Sequence, residues 1–193
     1  MLHVGSSAAI LAERSERIAE IAGKFGMKAA LRPGLSLYGV LPEFSPEFES
    51  EPGALAQGRE HLRPVLSWKT QVMTVRRVEA GAVVGYNGRF VATERMTLAL
   101  LPVGYADGLT RALGNNFSFL VRGERAPIVG RVSMDLTVID VTEIAGVSVG
   151  DEVTLIGRDG EEQITADDHA RAAGTISWEI LTRISGRVPR IEV

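Results

Sequence analysis

The sequence contains no cysteine, only three lysines (Lys24, Lys28 and Lys69) and only three histidines (His3, His61 and His169) among its 193 residues. Lack of cysteine excludes disulfides and thiolate metal sites, and it fits a reducing cytoplasm, the expected compartment. The histidines lie far apart and without metal-ligand spacing, so no metal is expected. Long apolar runs are missing too: stretches such as Met96 to Val103 fall far short of the roughly 20 residues that cross a bilayer. No charged n-region followed by an apolar h-region opens the chain, and no membrane partner is expected. Nor is there a surplus of positive charge. A formal net charge of −3, a pI near 5.7 and scattered Lys and Arg residues leave no basic stripe for a phosphate backbone, so no nucleic-acid partner is expected.

What remains is ordinary globular composition, 45% hydrophobic and 23% charged, enough for one good core or two modest ones. From Ser7 to Met27, Ile10, Arg14, Arg17, Ile18, Ile21 and Ala22 recur near the helical period, which predicts one amphipathic helix ending at Gly23 or Gly26. The Arg32-Pro33-Gly34 turn then introduces Leu35, Leu37 and Val40, whose spacing predicts a short buried strand. Helix feeding strand is an α/β pattern. Residues 41–60 are rich in proline and glutamate and read as a linker. Beyond His61 come short runs rich in Val, Ile, Thr and aromatics, punctuated by glycine turns, which predict antiparallel strands in a barrel or sandwich. Near the end Thr165 is placed to cap a helix with Asp167 and Asp168 in its first turn, and a second short helix runs through Trp178. The expected organisation is therefore an α/β piece with its linker over residues 1–55 and a mainly β domain over residues 56–193.

Candidate chemistry is sparse. Gly5, Ser6 and Ser7 at the head of a helix offer amides and hydroxyls to an anion, or simply an N-cap. In Arg32-Pro33-Gly34 the glycine exposes an amide and the arginine a fork of donors, or the three residues only start a strand. Tyr86 and Tyr105 each follow a glycine and precede an Asn-Gly or Asp-Gly turn, which either points a phenol into a cleft or packs it. Met134 and Asp135 are by themselves only strand.

Taken in order, HVGSSAAIL, RPGLSLYG, LSWKTQV, VGYNGRF, PVGYADG, APIVGRVSMD and ISWEILTRISGRVPRI span essentially the whole chain and closely resemble the C-terminal portion of the bacterial alanine racemases. The resemblance implies a fold-type III pyridoxal-phosphate enzyme. Its mainly β C-terminal domain would follow the last part of a TIM-type α/β barrel, and the enzyme would interconvert L- and D-alanine to supply peptidoglycan. It implies that Ser7, the amides of Gly34 and Leu35, and Trp178 hold the cofactor phosphate, while Arg32 donates to the pyridine nitrogen. Tyr86 would be the catalytic acid/base on one face of the substrate. Tyr105, with Asp107 close by, would line the substrate's way in, and Met134 and Asp135 would contact the substrate carboxylate region. It further implies a head-to-tail homodimer in which Tyr86, Met134 and Asp135 reach the partner's cofactor.

This sequence departs from the family pattern in Gly5 for alanine, Ser6 for asparagine, Trp178 for an aromatic with a hydroxyl, and a longer spacing from Ser7 to Arg32. None of the three lysines stands in the context of the family's cofactor-bound lysine. The expectation is a split half, a truncated product or a fragment of a larger gene, inactive without a lysine-bearing barrel half. The alternative from another class is a non-catalytic β-domain that serves dimerisation or binding.

Overall fold

The computed structural model describes residues 1–12, 14–41, 61–85 and 88–192. The expected linker and the boundary at residues 55 and 56 fall outside the described residues. The chain divides into two units, Met1–Leu66 and Ser67–Val193.

In the first unit, strand β1 (Leu2–His3) is followed by helices α1 (Ser7–Leu11) and α2 (Ser15–Lys24) and then by β2 (Ala29–Ala30), which pairs with β1 in parallel. A parallel pair joined by a helical crossover is the repeating unit of α/β folds. The single helix expected from Ser7 to Met27 is two. The Arg14 N–H reaches back five residues to the Ala9 carbonyl (3.0 Å), so the ladder loses its i to i−4 register there, and a fresh helix begins at Ser15. Its end is built by Gly26 at φ +62°: the Gly26 N–H donates to Gly23 (3.0 Å) and the Met27 N–H to Ala22 (2.9 Å), the two crossed bonds of a Schellman stop.

The expected buried strand over Leu35 to Val40 is instead a single 3-10 turn, Leu35–Tyr38. Leu37 N–H bonds back to Gly34 (3.0 Å) and Gly39 N–H to Ser36 (3.1 Å), with Gly39 left-handed at φ +69°. Leu35 is buried but Leu37 is 65% exposed. The apolar spacing reads as a strand; the glycines on either side close a turn first.

The second unit is mainly antiparallel β, as expected. Its strands are β3 (Trp68–Gln71), β4 (Thr74–Val78), β5 (Val83–Val84), β6 (Phe90–Val91), β7 (Met96–Leu101), β8 (Ser118–Val121), β9 (Glu124–Pro127), β10 (Thr137–Asp140), β11 (Glu152–Asp159) and β12 (Glu162–Ile164). One sheet runs β10-β7-β4, another β12-β11-β8-β9 with β3 also on β11, and β5 and β6 form a separate hairpin. Two junctions close the sheets into a barrel. Residues 68–78 pass from one sheet to the other, since the Val72 N–H donates to Asp151 beside β11 (2.9 Å) and the next, Met73, to Leu100 in β7 (2.8 Å). On the opposite side Ile128, just past β9, pairs with Ile139 of β10. Closure removes free sheet edges.

Phe119, Leu120, Val121, Ile139 and Leu155 retain no exposed surface. The β8-β9 hairpin turns on Arg122 (φ +55°) and Gly123 (φ +79°), a two-residue turn whose hand matches strand twist. Arginine tolerates this conformation because Asp151 (3.0 Å) and the Ala145 carbonyl (3.3 Å) hold its guanidinium. Helix α3 (Ala166–Ala173) starts with the expected cap. The Asp168 N–H donates to Thr165 Oγ1 (3.1 Å) and the Thr165 N–H to Asp168 Oδ2 (2.8 Å). It buries His169, whose Nε2–H donates to the Leu155 carbonyl (2.8 Å) and whose ring lies 4.7 Å from that of Phe117. Helix α4 (Ser177–Arg183) follows, also as expected.

Candidate functional site

The residues singled out from the sequence fall into two clusters, one in each unit. In the first unit Ser7 is the opening residue of α1, but its hydroxyl does not cap that helix; Ser6 occupies the cap position. Ser7 is 4% exposed, and its Oγ receives the Gly34 N–H (2.9 Å) and the Ser36 N–H (3.1 Å), with the Ser36 hydroxyl also at 3.1 Å. Amides and hydroxyls from positions 27 and 29 residues apart in the chain thus converge on one oxygen. That donor set, with the Leu35 amide between the two in sequence, fits one oxygen of a phosphate. The Arg32 N–H donates to Gly5 (2.8 Å), its side chain is exposed, and among the described residues it has no ion-pair partner. Ser36 was missed in the sequence, where its hydroxyl carries no pattern of its own.

In the second unit two turns are stitched together. The Tyr105 N–H donates to the Ser133 carbonyl and the Ala106 N–H to the Met134 carbonyl, each at 2.9 Å. Gly104 makes this approach possible, because a Cβ there would stand 2.3 Å from the carbonyl oxygens of both Ser133 and Met134. Asp107, buried in the same turn, accepts the Gly104 N–H at 2.9 Å and so fixes the turn from within. The result is a cleft of about 430 Å³ lined by Tyr105, Arg111, Arg131, Ser133, Met134 and Asp135. Tyr105, expected to line the substrate's way in, and Met134 and Asp135, expected at the substrate carboxylate, therefore share one rim. Arg111 lies 5.9 Å from the Tyr105 ring centroid, and Arg187 donates to Asp135 at 2.8 Å. Asp135's hydrogen bond, and then Asp107's charge, hold the Arg187 proton more firmly than an arginine's usual value.

Trp178 sits part-exposed on α4 and is not among the residues that line this cleft. Tyr86 lies outside the described residues; the strands before and after it, β5 and β6, pair through Val84 and Phe90. Arg111, Arg131 and Arg187 were not anticipated. Arg131 and Arg187 lie within the segments APIVGRVSMD and ISWEILTRISGRVPRI, but neither stood out there as a functional side chain. Among the described residues no three His, Asp or Glu side chains are grouped to hold a metal, and no helix is long and apolar enough to cross a membrane.

Comparison with known proteins gives this arrangement a context. The family described as alanine racemase, C-terminal domain, matches residues 65–192. An alanine racemase of Halothermothrix orenii is 46% identical over 167 residues, covering 86% of this chain and 41% of that protein. Among solved structures, alanine racemase from Bacillus anthracis with bound L-Ala-P superimposes with a TM-score of 0.73 at 40% identity, over 86% of this chain and 40% of that one. Alanine racemase from Bartonella henselae with covalently bound pyridoxal phosphate does so with a TM-score of 0.75 at 31% identity, over 99% and 46%. The chain thus spans less than half the length of these relatives. With the family match covering nearly all of its second unit and the turns around Tyr105 and Met134, the chain belongs to the alanine racemases, whose C-terminal domain it carries.

Proposed function

We propose that this chain works as the C-terminal part of a pyridoxal-phosphate-dependent alanine racemase, in the cytoplasm and as a homodimer, supplying D-alanine for the cell wall. The observation that carries the reading is the stitched pair of turns, which sets Tyr105, Met134 and Asp135 on one rim in a chain of this family. When bound, the cofactor withdraws electrons from the substrate and acidifies its Cα–H.

This chain's own residues do the rest on one side of the reaction. Ser7, Gly34 and Leu35 bind the phosphate, the first two already gathered within hydrogen-bond distance of each other. Arg32 presents its guanidinium to the ring nitrogen, where a cation discourages protonation and so tempers the ring's pull on electrons. Tyr86 holds or returns the Cα proton on one face. A phenol with an ordinary pKa of about 10 needs neighbouring cations to do so near neutrality. Met134 and Asp135 orient the substrate carboxylate, and Tyr105 narrows the way in. Trp178 stands where the family's hydroxyl-bearing aromatic would serve the phosphate, and it would offer only an indole N–H. The opposite face needs a second base, the lysine of a barrel half. A β-domain with no role beyond dimerisation is not favoured, because the matched relatives are enzymes.

The test is D-alanine formation from L-alanine by the purified chain, alone and with a separately produced lysine-bearing barrel half. Turnover only in the mixture supports the reading. Equal turnover by the chain alone, or none in a mixture that demonstrably associates, contradicts it.

A further inference from the structure

Beyond α4 the chain turns back on itself. Arg190 donates to the carbonyls of Ile184 (3.0 Å), Ser185 (3.2 Å) and Val188 (2.6 Å), which fastens the tail into a hook and satisfies the Ile184 carbonyl at the helix end. The Ser185 N–H in turn donates to the Asp107 carbonyl (2.9 Å). Gly108 lies so close to this tail that a Cβ would come within 2.3 Å of the Arg183 carbonyl oxygen.

The hook carries Arg187. Its Nη2 lies 2.8 Å from Asp135 Oδ1 and its Nε 3.5 Å from Asp107 Oδ1, so one guanidinium bridges carboxylates from two different turns. Among the described residues no other cation pairs with either carboxylate. Asp107 has a second duty, because its Oδ2 holds the Gly104 N–H. Its side chain is 13% exposed, so that charge is costly to leave uncompensated. An exposed ion pair by itself contributes little to stability. What Arg187 adds is placement and charge balance at the point where the two turns meet.

We infer that Arg187 is a positioning residue for the cleft. It locks the turn that carries Tyr105 to the turn that carries Met134, and it cancels the Asp135 charge so that a small anionic carboxylate approaches the rim without repulsion. The lock rests on geometry alone; the identity of the carboxylate as that of alanine rests on the proposed function.

Two readouts test it. The first is amide hydrogen exchange on the chain itself, compared with Arg187→Gln and Arg187→Lys. The Tyr105 and Ala106 amides, which bond to Ser133 and Met134, should exchange about tenfold faster in the Gln variant, with Leu120 and Val121 in the barrel unchanged and the Lys variant in between. Unmoved loop amides would overturn the lock, and so would equal acceleration throughout the unit, which would mark Arg187 as a general stabiliser. The second is kinetics of the chain joined behind a lysine-bearing barrel half. Arg187→Gln should raise KM for alanine about tenfold, with kcat changed far less, and the KM penalty should shrink as salt screens the uncompensated carboxylates. An unchanged KM would overturn the charge-balancing role. Should the loop amides respond as expected while the joined wild-type enzyme fails to racemise alanine, the proposed function falls and the lock stands.

Discussion

The two units secure their candidate residues by different means. In the first, Ser7 is gathered to Gly34 and Ser36 by hydrogen bonds to one hydroxyl oxygen, on elements as short as a five-residue helix and two-residue strands. Its buried apolar side chains, among the described residues, are Ala12, Ala22 and Leu35, while Ile21, Phe25, Leu31, Leu37 and Val65 stand exposed. In the second, the turns bearing Tyr105 and Met134 hang from a closed barrel filled by Phe119, Leu120, Val121, Ile139 and Leu155. Placement in the first unit thus depends on a few polar bonds, each contributing about 1 kcal/mol. In the second it is inherited from a hydrophobic core whose contributions are several times larger. The candidate residues are held by backbone and hydroxyl chemistry in one case and by packing in the other.

That contrast can be broken or sharpened. Phe119→Ala should have the largest effect, about 4 kcal/mol of lost stability in the second unit, because the side chain is wholly buried against β-strands and the His169 ring. A urea titration followed by tryptophan fluorescence measures it, Trp68 being 4% exposed. Gly104→Ala should cost about 3 kcal/mol, since the new methyl meets two carbonyl oxygens, and it should loosen the cleft before the barrel melts. Proteolysis at residues 104–108 under native conditions distinguishes that local opening from global unfolding.

Acid should cost on the order of 3 kcal/mol through His169 alone. Burial lowers its pKa to about 4, against a weaker opposing pull from the Leu155 carbonyl. The neutral ring is thus kept in the fold, while the unfolded chain takes up a proton near pH 6.5. Stability is full above that value and falls as pH drops towards about 4. Stability measured at pH 7.5 and pH 5 should differ by about 2 kcal/mol of that, the rest being lost as pH falls through about 4, and His169→Phe should flatten the slope. Smallest of the four, Ser7→Ala should cost about 1–2 kcal/mol by leaving the Gly34 and Ser36 amides without their acceptor. Its signature is local: faster exchange at Gly34 and Ser36 with an unchanged melting temperature for the barrel.

Much of the architecture was legible because its causes are local. Thr165 and Asp168 cap a helix with their own side chains, Gly26 stops one by its conformation, and the glycine turns between β-branched runs announce hairpins. The failures came where two local readings competed. The 3.6-residue period over Ser7 to Met27 continues across a break that only the Arg14-to-Ala9 bond shows, and the spacing of Leu35, Leu37 and Val40 fits a strand as well as a turn flanked by glycines.

For the site, Tyr105, Met134 and Asp135 were named from resemblance, and their meeting depends on Gly104 approaching a turn some thirty residues downstream, which no window of sequence contains. Arg187 stood in the sequence only as one residue of the segment ISWEILTRISGRVPRI. Its partners Asp107 and Asp135 lie far upstream, so its role is visible only once the hook closed by Arg190 brings it back.

The proposed role of Tyr86 as one of two opposed proton-transfer groups is tested most directly by Tyr86→Phe in the chain joined to a lysine-bearing barrel half, assayed in heavy water with each enantiomer of alanine. Removing one base from a two-base racemase should abolish racemisation in both directions, while Cα–H exchange with solvent is lost from one enantiomer and retained by the other. Racemisation that survives the substitution, or exchange retained equally by both enantiomers, would contradict the account.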